Sequence, residues 1–356
     1  MKLPIPVSVL TGFLGSGKTT LLKALLKRPQ LAGTAVIVNE FGDVGLDDAL
    51  IEAAEEETVL LPSGCVCCAV RGDLVEALNR LYQQMVKGEI PDLTRVILET
   101  SGLADPAPIA HTLMTEDELF RIYQLDGVVT TADAELIETQ LDNYFETAKQ
   151  IATADRIVMT KTDRVSGTDA DRVRARLAML NPGAQIITAV MGDCPPEQLT
   201  GLAAYEPVAT KAHAQEWLAE HAYGEAHDCS ADDCDHPDHH HDHQHTHGVR
   251  SFALTFEHPL DGQKLSFAME LLRMTYGDRL LRLKGIVAVE GEPLPFVVHG
   301  VQHVFYPPTT LDAWPSQSRT SRFVFITKDL DEATVQKVLR PLFDDAPPNT
   351  DAFYTA

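Results

Sequence analysis

The sequence predicts an α/β protein: a mostly parallel, doubly wound sheet followed by a smaller α+β domain. Three observations predict it. Residues 1–205 alternate short β-like runs with helical stretches, the pattern of strand–helix units in a parallel sheet. A glycine-rich turn of the phosphate-binding type stands between the first run and the first helical stretch. Residues 227–247 then break the pattern, because sixteen of the twenty-one are His, Asp or Cys. With no apolar periodicity, this tract reads as a disordered, low-complexity linker between two domains.

The elements follow in order. Pro4–Thr11 is the first predicted strand, and the helix after the glycine-rich turn runs from Thr19 to about Leu26. Apolar runs at Ala35–Val38, Val59–Leu61, Val96–Leu98, Gly127–Thr130, Arg156–Met159 and Gln185–Thr188 supply further strands. Amphipathic segments such as Arg71–Met85 and Asp169–Leu180 lie between them. After the tract, Ser251–Phe256 opens the second domain, and Leu265–Arg273 is helical. Strand-like runs follow at Arg279–Val289, Phe296–Phe305 and Arg322–Ile326, with a last helix near Glu332–Leu342. The expected boundaries are 1–205, a linker at 206–248, a second domain at 249–345 and a frayed tail at 346–356.

Composition narrows the function. Hydrophobic residues make up 44% of the 356, enough for a packed core. The chain carries 29 basic and 52 acidic side chains, a net charge of −23. Nucleic acid and anionic membranes attract basic surfaces, so neither is an expected partner. The N-terminal stretch imitates a signal peptide, but it ends in GSGKTT rather than a small-residue cleavage site, and the expected location is the cytosol.

Residues 12–19 read GFLGSGKT and match G-x-x-x-x-G-K-S/T at every fixed position. Gly12, Gly15 and Gly17 let backbone N–H groups converge on phosphate oxygens at a helix N-terminus. Lys18 reaches the terminal phosphates and the Thr19 hydroxyl ligates Mg²⁺. Glu99 begins the string ETSG just after an apolar strand, where a carboxylate stands behind Mg²⁺. Thr160, Lys161 and Asp163 form TKTD after another strand. One carboxylate at Asp163 can accept both N1–H and the 2-amino group of guanine, and the stem of Lys161 can lie against the base. Thr160 stands where most guanine motifs have Asn, and a hydroxyl replaces only part of an amide's contacts.

Cys65, Cys67 and Cys68 pack three thiols into GCVCC. Zinc takes thiolates tetrahedrally at ~2.3 Å, and three leave one position for another ligand. Glu40, Asp43, Asp47 and the linker histidines are all open as that fourth ligand, and a redox role for Cys65 and Cys68 stays open too. His239, His240, His241, His243, His245 and His247 offer several shifting ligand sets, since neutral imidazole binds Zn, Ni, Co and Cu.

In order, GFLGSGKTT, NEFGDVGLD, GCVCC, ETSGLADP and TKTD resemble the CobW/HypB/UreG family of metallochaperone GTPases, in its CobW-like branch with a CxCC motif. The segment RLLRLKGIVAVEGEPLPFVVHGVQHVF resembles the CobW C-terminal domain. The resemblance implies a SIMIBI-type P-loop GTPase that couples GTP and Mg²⁺ to delivery of a transition metal, usually zinc, to a client metalloprotein. It assigns nucleotide contacts to Gly15, Ser16, Gly17, Lys18, Thr19 and Thr20, Mg²⁺ and hydrolysis to Glu40 and Glu99, and metal to Cys65, Cys67 and Cys68. Delivery of cobalt, nickel or iron, a His-rich metal buffer with a vestigial nucleotide site, and a homo-oligomer all remain open at this level.

Overall fold

The apolar run after Pro4 becomes a central strand. β1 (Ile5–Gly12) is buried at every position but Pro6, so its side chains face protein on both sides, as strands of a parallel sheet must. The computed structural model describes residues 4–39, 60–63, 71–202, 246–315 and 319–343. Residues 206–245 of the expected linker, with most of the 227–247 tract, and the expected tail 346–356 lie outside the described residues. Two compact units hold them: 4–202 with 246–249, and 250–343.

In the first unit, β2 (Thr34–Asn39), β3 (Leu60–Ser63), β4 (Arg95–Glu99), β5 (Tyr123–Asp133), β6 (Arg156–Thr160) and β7 (Gln185–Ala189) join β1 in one parallel sheet. The strand order is β3-β2-β4-β1-β5-β6-β7. Between the strands run α1 (Lys18–Leu26), α2 (Arg71–Val86), α3 (Ala107–Thr115), α4 (Asp117–Phe120), α5 (Ile137–Asn143), α6 (Phe145–Thr153) and α7 (Gly167–Leu180). Leu21, Leu22 and Leu25 of α1 pack with Leu10, Ile97, Val129 and Val158 of the sheet. Burying such side chains contributes roughly 1.5–3 kcal/mol each.

Register decides which residues meet. Leu10 pairs with Glu99, Gly12 with Thr131, and Asp133 with Thr160. Because all seven strands run the same way, the segments after β1, β4, β5 and β6 leave from one edge. Lower in the sheet, Asp126 accepts hydrogen bonds from Ser8 Oγ at 3.0 Å and from Gly201 N and Leu202 N at 3.1 Å, and it pairs with Arg95. That knot ties the end of the unit back to β1 and β5.

β5 is longer than the expected Gly127–Thr130, because Asp126 interrupts its apolar pattern while serving that knot. Helices α3 to α6 are additional to the amphipathic segments named from sequence. The buried faces of α3, α5 and α6 mix Thr112, Gln140, Thr147, Gln150 and Thr153 with their apolar residues. Among the described residues no helix is long and apolar enough to cross a membrane.

The second unit is α+β. β8 (Val249–Phe256), β9 (Leu280–Val287), β10 (Phe296–Val301), β11 (Val304–Phe305), β12 (Thr309–Thr310) and β13 (Ser321–Lys328) form a sheet ordered β11-β10-β9-β13-β8, with β12 also on β10. The expected run Phe296–Phe305 folds into a hairpin at Gln302, whose φ is +53°. Helices α8 (Gly262–Tyr276) and α9 (Glu332–Phe343) cover one face. Asp261 caps α8 by accepting from Gln263 N at 2.8 Å and Lys264 N at 2.9 Å. Beneath the helices, Phe252 stacks on Phe325 at 5.3 Å and Phe256 meets Phe323 edge-on at 5.9 Å.

On the opposite face, His299 is buried and stacks on Tyr306 at 3.6 Å. Burial, and then the charges of Arg282 and Lys284, hold its imidazole well below its ordinary range. His299 therefore stays neutral in the fold while the unfolded chain takes up a proton below about pH 6.5. Stability is retained above that value and is lost as pH falls. From about pH 7.5 to about pH 5.5 the wild type should lose roughly 1 kcal/mol more stability than H299Q, read from denaturant midpoints of the second unit's transition. Equal losses in both proteins would remove His299 as the cause.

Candidate nucleotide site

The turn after β1 is closed by contacts that only glycine permits. Gly12 has φ +138°, and a Cβ there would lie 2.3 Å from Thr131 Oγ1 and 2.5 Å from the Thr131 carbonyl. Gly17 has φ +94° and forms the N-terminal boundary of α1. The chain thus turns from strand to helix within a few residues, leaving N–H groups at the helix start aimed outward.

Lys18 is almost fully buried, and its Nζ donates to the carbonyls of Gly12 at 2.9 Å and Phe13 at 3.1 Å. Thr19 Oγ1 donates to Glu99 Oε1 at 2.7 Å. Glu99 ends β4 and is buried. A hydroxyl and a buried carboxylate in contact make an oxygen donor set of the kind Mg²⁺ takes. Thr20 is exposed on the first turn of α1.

The strand ends beside the turn hold it rigidly. Ser16 Oγ lies 2.6 Å from Thr131 Oγ1, and the Ser16 carbonyl accepts from Thr160 Oγ1 at 2.7 Å. The Thr160 hydroxyl also lies 3.3 Å from the Ala132 carbonyl. It is therefore turned toward the phosphate turn and β5. Lys161 adopts a left-handed conformation, φ +54°, and its Nζ pairs with Asp133 at 2.6 Å. Asp163 sits exposed in the short turn Thr162–Arg164.

The segment after β4 is also pinned. Thr100 Oγ1 donates to Thr11 Oγ1 at 2.8 Å. A Cβ on Gly102 would stand 2.5 Å from the Leu14 backbone nitrogen, so the two loops touch backbone to backbone. From α6, Gln150 Nε2 donates to the Gly102 and Ala104 carbonyls at 3.2 and 3.0 Å, and Lys149 pairs with Asp105.

The fold thus brings Gly12, Gly15, Ser16, Gly17, Lys18, Thr19, Glu99, Thr160 and Lys161 to one edge, with Asp163 beside them. Thr131, Asp133 and Gln150 belong to this frame and were not singled out from sequence. Nothing marks them there, since each is one polar residue inside a strand or helix. Glu40, Cys65, Cys67, Cys68, His239, His240, His241, His243 and His245 lie outside the described residues. His247 is described: it has φ +52° and packs edge-on against Phe145, with ring centroids 6.2 Å apart.

Residues 6–188 match the CobW/HypB/UreG nucleotide-binding domain, and residues 249–342 match the cobalamin synthesis protein cobW C-terminal domain. The zinc chaperone YjiA of Escherichia coli is 33% identical over 94% of this chain and 97% of its own. The zinc chaperone CobW of Pseudomonas aeruginosa is 29% identical over 94% of this chain and 91% of its own. The crystal structure of the Zn(II)-bound YjiA GTPase from E. coli superposes with a TM-score of 0.70 at 28% identity, covering 96% of this chain and 99% of that one.

The Thr160 bond to the Ser16 carbonyl carries a clear expectation. In T160V the phosphate turn loses its tie to β6, and nucleotide affinity should fall about threefold to tenfold, the range for one buried hydrogen bond. The loss should be equal for GTP and ATP, because the bond supports the phosphate turn. Calorimetric titration of both nucleotides checks this, and a loss confined to GTP would assign Thr160 to the base instead.

Proposed function

The chain belongs to the CobW/HypB/UreG family and is a P-loop GTPase, and on that premise we propose that it is a cytosolic zinc chaperone that binds zinc at Cys65, Cys67 and Cys68 and hands it to a client metalloprotein. The observation that carries the GTPase half is the Thr19–Glu99 contact beside Lys18. Residues that sequence separates widely stand in contact there, which supports a working phosphate and Mg²⁺ site over a vestigial one. The zinc half rests on the thiol spacing of GCVCC and on the names of the relatives. Homologous zinc chaperones favour zinc as cargo over cobalt, nickel or iron.

The chemistry follows from the residues. Turn N–H groups and the α1 N-terminus bind phosphate oxygens. Lys18 exchanges the Gly12 and Phe13 carbonyls for the terminal phosphates, bringing a cation to where charge accumulates. Thr19, with Glu99 behind it, would hold Mg²⁺, which when bound would neutralise that charge. Asp163 accepts from N1–H and the 2-amino group of guanine. Glu40 belongs to the acidic segment that precedes the thiols, and this reading gives it the role of linking phosphate occupancy to the metal site.

Asp163 should select the base. D163A should weaken GTP binding roughly 10- to 100-fold, the worth of charge-assisted bonds, and leave ATP binding little changed. Equal wild-type affinities for GTP and ATP would sink the guanine assignment.

Metal and nucleotide should be coupled, and such coupling is reciprocal. Zinc affinity measured by chelator competition should be about tenfold tighter with a GTP analogue than with GDP or no nucleotide. C67A should abolish both the tight zinc site and the difference. Identical zinc affinity in all three nucleotide states would defeat delivery by a GTP switch.

A further inference from the structure

β5 ends on Asp133, a carboxylate with no solvent exposure. Its Oδ1 accepts from Glu135 N at 3.0 Å, which fixes the plane of the group. Its Oδ2 pairs with Lys161 Nζ at 2.6 Å. Among the described residues neither atom hydrogen-bonds to the phosphate turn, and the GTPase chemistry above makes no use of Asp133.

Lys161 needs a partner of this kind. It holds φ +54°, a region that residues with a Cβ avoid. Its neighbours are fastened too: Thr160 O accepts from Ala134 N at 3.0 Å, and Thr160 Oγ1 donates to Ser16 O. A buried anion that cannot swing therefore meets a cation whose backbone is held in a disfavoured conformation. The Lys161 side chain is thus tied at its ammonium to the end of β5 and begins from backbone two residues before Asp163.

We infer that Asp133 is a positioning residue for guanine nucleotide: it fastens the Lys161 ammonium so that the stem presents a fixed apolar surface to the purine face. This rests on the reading of Thr160–Asp163 as the base-recognition segment. Asp163 reads the edge of the base, which differs between guanine and hypoxanthine. The Lys161 stem touches the face, which is common to both. Asp133 thus sets affinity for purine nucleotides without setting the choice among them.

The test is D133N, whose amide keeps the size of the carboxylate and its acceptor for Glu135 N but removes the charge. Its Kd for GTP and for inosine triphosphate should rise by the same factor, about tenfold, while kcat stays within about twofold. Affinity for magnesium tripolyphosphate, which has no base, should be unchanged. K161M should show the same loss, and D133N with K161M should be no worse than either alone, because both remove one contact. Wild-type affinity for GTP in D133N would overturn the inference, as would an equal loss for tripolyphosphate or additive losses in the double variant. Should D133N not fold, K161M decides: unchanged GTP affinity there refutes the inference. Failure of the guanine reading itself is visible separately, as wild-type protein that does not prefer GTP to ATP.

Discussion

The backbone of Gly12 lies so close to Thr131 that no side chain fits between them. This contact sets the distance between the phosphate turn and β5, and the rest of the site is built around it. Ser16 reaches the Thr131 hydroxyl only because the turn is pressed against β5 there. The Ser16 carbonyl is then within reach of Thr160 at the end of β6. The phosphate turn and the Thr160–Asp163 segment therefore share one frame made by three neighbouring strands. Preorganisation of this sort spares a site the cost of ordering its own groups when ligand arrives.

A second set of contacts links the frame to the segment after β4. Glu99 meets Thr19, Thr100 meets Thr11, and Gly102 lies against Leu14. Helix α6 holds that segment from behind through Gln150 and Lys149. Gln150 and Lys149 thereby tie the position of that segment to α6. The same helix carries Phe145, against which His247 packs at the far end of the His-rich tract. Packed elements shift between discrete arrangements rather than deforming smoothly. Among the described residues, α6 touches both the segment after β4 and the end of the tract.

Legibility from sequence was uneven for physical reasons. Strands buried on both faces are continuous apolar runs, and most were placed within a residue or two. β5 was cut short at its start because Asp126, which serves a buried knot, interrupts its apolar run. Helices α5 and α6 escaped because their buried positions include Gln140, Thr147 and Gln150. The motifs Gly12–Thr19, Glu99 and Thr160–Asp163 stood out in the sequence because each is a short string of residue types suited to one ligand group, and the fold brings them to one edge. Thr131, Asp133 and Gln150 did not, because their partners are other parts of the protein.

What the sequence determined by itself was the kind of chemistry and the order of its parts. A lysine and a threonine after a glycine-rich turn, a carboxylate after an apolar strand and an aspartate after TK are each read locally. Tertiary structure alone decided which of these meet. Thr19 finds Glu99 across 80 residues, Thr160 finds Ser16 across 144, and Lys161 finds Asp133 across 28. Those meetings depend on the strand order β4-β1-β5-β6 and on registers that bring the ends of four parallel strands to one edge. Strand order and register follow from the packing of whole faces against helices, a property of many residues together that no single motif encodes.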